Sequence, residues 1–71
     1  MTTLDEALLA AHAKDDRKAL VHLYAKAADI ADGVDSTSFY LTHAYVFALE
    51  SGLPIADKLR VRLVQMGREV D

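Results

Sequence analysis

An all-α fold of four helices, paired as two antiparallel hairpins, is what this 71-residue sequence predicts. Three observations carry that expectation. Apolar residues recur three and four positions apart, and no segment alternates with period two for long. One apolar pattern is written twice, 37 positions apart: Leu4, Ala7, Ala10, Ala11 and Ala19 are answered by Leu41, Ala44, Phe47, Ala48 and Ala56. Helix-stopping residues fall only between or after the apolar stretches, at Gly33, Gly52, Pro54 and Gly67. The chain therefore reads as one domain, 1–71, with a first hairpin over about 3–32 and a second over about 36–68.

The first helix begins at Thr3 and runs to about Lys14. Thr3 with Glu6 three residues on forms a capping-box pattern, in which the hydroxyl accepts a free backbone N–H of the first turn. Leu4, Ala7, Leu8 and Ala11 share one face. Asp15 and Asp16 then make the turn. Carboxylates at this place cap a helix and favour its positive end, and that explains the pair better than paired-carboxylate catalysis does.

The second helix spans about Arg17 to Ala31, with Leu20, Leu23, Tyr24, Ala27, Ile30 and Ala31 as its apolar stripe. Gly33 is expected to end it in the left-handed conformation, with Asp35, Ser36 and Ser38 available to cap the next helix.

The third helix, about Thr37 to Glu50, is apolar nearly all round. Leu41, Ala44, Tyr45 and Ala48 make one face; Phe39, Tyr40, Val46 and Phe47 make another. A helix apolar on every side is buried on every side, and one hairpin partner covers only one of these faces. This is the main reason to expect self-association, as a homodimer through the third helix. Ser51-Gly52-Leu53-Pro54 breaks the chain, glycine closing one helix and proline opening the next. The fourth helix runs from Pro54 to about Arg68 on a stripe of Ile55, Ala56, Leu59, Leu63 and Met66. Val61 and Val64 lie off that stripe. The expected interface residues are Phe39, Tyr40, Val46, Phe47, Val61 and Val64.

The second hairpin resembles a tetratricopeptide (TPR) or Sel1-like repeat. The positions that carry the resemblance are Ala44, Phe47, Ser51 and Ala56, which stand at that family's small, aromatic, small-turn and alanine positions. The first hairpin keeps Ala7 and Ala19 but has Ala10 for the aromatic and Lys14 for the turn residue. The step of 37 exceeds the 34 residues usual for the family. The resemblance implies a TPR-like hairpin pair that binds a protein or peptide in a groove.

Bulk composition narrows the function further. A core this small supplies only about 3–5 kcal/mol on its own, so small domains turn to disulfides, metals or partners. Cysteine is absent, which excludes disulfides and thiolate zinc sites and fits a cytoplasmic protein. The opening Met-Thr-Thr-Leu-Asp-Glu lacks the basic and apolar regions of a secretory signal. The apolar fraction is 52%, but much of it is alanine, which buries little area per residue. A partner chain remains, most simply a second copy.

No catalytic, cofactor or metal site is expected. His12, His22 and His43 have no helical i, i+4 spacing to one another, and no phosphate loop or nucleophile elbow is present. The formal net charge of −3 argues against general affinity for nucleic acid or anionic membrane. Charge is nonetheless uneven: residues 1–35 hold seven acids and four bases, whereas 36–71 hold four of each. Lys58, Arg60, Arg62 and Arg68 make the fourth helix basic. A groove-reading helix is conceivable there, but Arg60 and Arg62 point about 200° apart. The leading expectation is a small non-enzymatic protein-interaction or assembly module; the alternative is a nucleic-acid-binding regulator using the fourth helix. The aromatics Phe39, Tyr40, Tyr45 and Phe47 either pack the core and dimer contact or line a peptide groove.

Overall fold

A computed structural model describes residues 3–67 and shows four α-helices: α1 (Leu4–Ala13), α2 (Arg17–Ile30), α3 (Val34–Glu50) and α4 (Ile55–Gln65). No strand occurs among the described residues. Backbone contacts join successive helices only, α1 to α2, α2 to α3 and α3 to α4, and the α2–α3 contact is the most extensive. The Cα atoms fill a slab of 34 × 28 × 13 Å, so the helices form a shallow layer and not a bundle around a central axis.

The two hairpin turns are the same structure written twice. Lys14 and Ser51, 37 residues apart, close α1 and α3 with φ/ψ of −93/−3° and −91/−4°. The next residue is left-handed in both, Asp15 at φ 53° and Gly52 at φ 66°. The Asp16 N–H then donates to the Ala11 carbonyl at 2.9 Å, and the Leu53 N–H to the Ala48 carbonyl at 2.9 Å. This six-to-one bond satisfies a carbonyl that the end of the helix would otherwise leave free.

Beyond the turn the equivalence slips by one residue. Asp16 caps α2 through its carboxylate, which accepts the Ala19 N–H at 3.2 Å. The fourth helix instead starts on tighter three-residue turns, Ala56 N–H to Leu53 O and Asp57 N–H to Pro54 O. The buried positions Leu20 and Ala27 of α2 therefore correspond to Ala56 and Leu63 of α4, at a spacing of 36. Ala19, which the 37-residue pattern pairs with the buried Ala56, is only half-buried.

The main core joins Val21 and Ala28 of α2 with Leu41, Ala44, Tyr45 and Ala48 of α3 and Ala56, Leu59 and Leu63 of α4. The α3 face expected from the sequence is the buried one. For α2 the single expected stripe is incomplete. The helix is flanked by α1 and α3 and needs two faces. Leu20 and Ala27 make one; Val21 and Ala28 make a second about 100° away. Ile30, expected in the stripe, is the last residue of α2 and 68% exposed.

Three boundary expectations are corrected. Gly33 does not end α2, which stops at Ile30 on an extended Ala31; at φ 117° it opens α3, and its carbonyl accepts both the Thr37 N–H and the Thr37 hydroxyl. Asp35, Ser36 and Ser38 lie inside α3 and not before it. The Ser38 hydroxyl donates back to the Asp35 carbonyl at 3.0 Å, a bond open to serine within a helix as well as before one. The fourth helix ends at Gln65, followed by Gly67 at φ 75°; Arg68, expected in it, lies outside the described residues.

The equivalent turn positions behave oppositely on substitution. Gly52→Ala puts a Cβ into the left-handed region and lowers stability by about 1–2 kcal/mol. Asp15→Gly relieves that conformation and is neutral or stabilising by up to about 1 kcal/mol. Urea unfolding of both variants checks the pair, and a loss above 1 kcal/mol for Asp15→Gly would contradict the shared turn geometry.

Candidate functional site

Between the two buried faces of α2 stands an aromatic side chain. Tyr24 lies about 40° from Leu20 and about 60° from Val21 around the helix, and it is half-buried. Its ring therefore sits where α1 and α3 both approach. From α1, His12 reaches it, with Nε2 and the Tyr24 hydroxyl hydrogen-bonded at 2.9 Å and the rings edge-on at 5.9 Å. From α3, His43 stacks on it at 5.2 Å and Phe47 at 5.8 Å, with Tyr40 at 6.3 Å.

Tyr40, His43 and Phe47 stand three and four residues apart and so share one side of α3. Phe39 extends the cluster, edge-on to His43 at 4.5 Å and to Tyr40 at 5.4 Å. His12 also meets Phe47 edge-on at 6.1 Å and so bridges α1 to α3 above α2. The result is a strip of six rings on one side of the layer. Beside it, the start of α1 and the end of α2 frame an open cleft of about 360 Å³, lined by Thr3, Leu4, Asp5, Ala27, Ile30, Ala31 and Tyr40.

Of the six expected interface residues, two are half-buried within the chain, and Phe39, though exposed, joins the same ring strip. Tyr40 and Phe47 are half-buried against Tyr24. Phe39 and Val46 remain 57% and 43% exposed on α3; Val61 and Val64 remain 47% and 42% exposed on α4. Tyr45 is buried in the core, apart from the ring strip. By residue type and spacing Tyr24 is one member of an apolar stripe, and the histidines have no i, i+4 partner among themselves. The i, i+3, i+7 spacing of Tyr40, His43 and Phe47 was the available signal for the strip.

The strip holds one side chain–side chain hydrogen bond among the described residues, between His12 and Tyr24. Among the described residues no three His, Cys, Asp or Glu side chains converge on a possible metal position. No described helix is long and apolar enough to cross a membrane. The basic character of α4 is also reduced, because Arg62 reaches across to Asp29 of α2 at 2.9 Å. Arg17 similarly ties the start of α2 to Glu50 at the end of α3, at 3.5 Å. Such exposed pairs contribute about 0–1 kcal/mol each and serve more to set position than to supply stability.

Comparison with protein-family models, curated proteins and solved structures gave no match. Function is therefore read from the surface itself.

Tyr24 holds the strip together, so its variants separate ring packing from the hydrogen bond. Tyr24→Ala is expected to cost about 2–4 kcal/mol. Tyr24→Phe keeps the rings and loses only a partly exposed bond, at about 1 kcal/mol or less. Chemical denaturation measures both; equal losses would mean that the stacked rings contribute little.

Proposed function

We propose that this chain is a non-enzymatic protein-interaction and assembly module of the cytoplasm, and that its first partner is a second copy of itself. The observation that carries the reading is the shallow layer with open ends. At the backbone each helix packs only against its sequence neighbours, so α1 and α4 have one packed neighbour each where α2 and α3 have two; beyond that, side chains alone reach across, His12 to Phe47 and Arg62 to Asp29. A layer of this kind buries less apolar surface than a closed bundle, and it leaves Phe39 and Val46 on α3 and Val61 and Val64 on α4 open to water. Repeated helical hairpins behave in this way: each unit relies on the next to cover its free side. The TPR-like character expected from Ala44, Phe47, Ser51 and Ala56 accords with this reading.

The nucleic-acid alternative has less support. With Arg62 engaged by Asp29, Lys58 and Arg60 are the cations of α4 without an ion pair among the described residues. These two point about 200° apart and make no stripe for a phosphate backbone.

Sedimentation equilibrium over a micromolar concentration series tests the proposal. The weight-average mass should rise above that of the 7.8 kDa chain as concentration increases. A mass that stays monomeric throughout, together with specific and steeply salt-dependent binding of duplex DNA, would favour the alternative.

A further inference from the structure

The repeat itself indicates which surfaces meet. In α2 the residues that face α3 are Val21, Tyr24 and Ala28, flanked by Ala25. The buried positions of the second helices correspond at a spacing of 36, so the same side of α4 carries Asp57, Arg60, Val61 and Val64. All four are exposed. In α3 the rings that receive Tyr24 are Tyr40, His43 and Phe47. The first helices and their turns correspond at 37, so the same side of α1 carries Thr3, Glu6 and Ala10. These three are exposed as well. The outer side of α4 thus presents an exposed copy of the internal seam, and the outer side of α1 its exposed counterpart.

The charges on the two surfaces are complementary. Arg60 takes the place of Tyr24, and Glu6 takes the place of His43, the ring stacked on Tyr24 at 5.2 Å. The Tyr24–His43 stack inside the chain therefore maps onto an Arg60–Glu6 pair between copies. Neither Arg60 nor Glu6 has an ion-pair partner among the described residues. Val61 and Val64 supply the apolar part of the contact, where α2 has Ala25 and Ala28.

We infer that copies of this chain associate head to tail, the outer side of α4 docking on the outer side of α1 of the next copy, with Arg60 set against Glu6. The inference rests on the assembly reading above and specifies its surfaces. The contact is heterologous: each copy keeps one free α1 and one free α4, so association continues into an open chain unless the rotation closes it into a ring. With valine and alanine in place of stacked rings, the contact is weaker than the α2–α3 seam and depends on charge. Association should therefore weaken as salt is raised through the range where the Debye length falls from about 10 to about 3 Å.

Charge reversal tests this directly by sedimentation. Arg60→Glu alone, and Glu6→Arg alone, should each weaken association about tenfold, a change of about 1.4 kcal/mol between copies. The two substitutions combined in one chain should restore it, because the pair is reversed but intact. An equimolar mixture of the two single variants should restore it too. Both positions are exposed, and far-UV circular dichroism should show unchanged helix content; Glu6→Gln replaces Glu6→Arg if the first turn of α1 is weakened. Self-association indifferent to all these charges would overturn the head-to-tail contact and leave the assembly reading standing, as expected of a symmetric contact through Phe39 and Val46. A wild-type chain that is monomeric at every concentration would overturn both.

Discussion

The α2–α3 seam is the contact on which everything else in this molecule depends. Val21 and Ala28 meet Leu41, Ala44 and Ala48 there, and all but Ala28 are entirely removed from water. Alanine on both sides lets the two helix axes approach closely, since the distance between packed helices is set by the side chains between them. The seam joins the hairpins, and it also carries Tyr24 to the position where α1 and α3 can both reach it. Outside the main core, the buried hydrophobic residues among those described are Ala11 of α1 and Leu20 and Ala27 of α2. The ring strip and the open sides of α1 and α4 are both consequences of how this one contact is built.

A repeated hairpin with one slipped residue explains the asymmetry of the layer. The turns at Lys14–Asp16 and Ser51–Leu53 match in dihedral angles and in hydrogen bonds. The helices that follow do not present the same numbered positions to the core. A one-residue shift turns a helix by about 100°, and the tighter turns after Leu53 accompany it. As a result, Arg60 stands on α4 where α2 has Tyr24. An internal aromatic ring is thus matched by an exposed charge.

Much of the fold was legible in the sequence because it depends on local rules. The Thr3 cap, whose hydroxyl accepts the Glu6 N–H at 3.1 Å, follows from residue type and spacing. The Asp16 cap, the Ser51-Gly52 turn and the Leu41, Ala44, Tyr45, Ala48 face do so equally. What escaped the sequence depends on neighbours that local rules do not see. The second face of α2 exists only because α2 is flanked on both sides. Gly33 is as able to open a helix as to close one, and the choice was decided by the extended Ala31 before it. Asp35, Ser36 and Ser38 favour caps by type, yet sit inside a helix that begins at Val34. The candidate site was half legible: Phe39, Tyr40 and Phe47 were singled out, but His12, Tyr24 and His43 join them only across helices. Val61 and Val64 were recognised as surplus to the core, and the repeat gives them a direction.

The central claim is that the hairpins are held as one unit by the α2–α3 seam, with α1 and α4 as less secure flanks. Native-state hydrogen exchange tests it most directly, because it reports the free energy of opening residue by residue. The amides of α2 and α3 around Ala25–Ala28 and Ala44–Ala48 should exchange only through global unfolding, while those of α1 and the end of α4 open at lower free energy. Highest protection in α1 or α4, or two hairpins that exchange as separate units, would contradict the account.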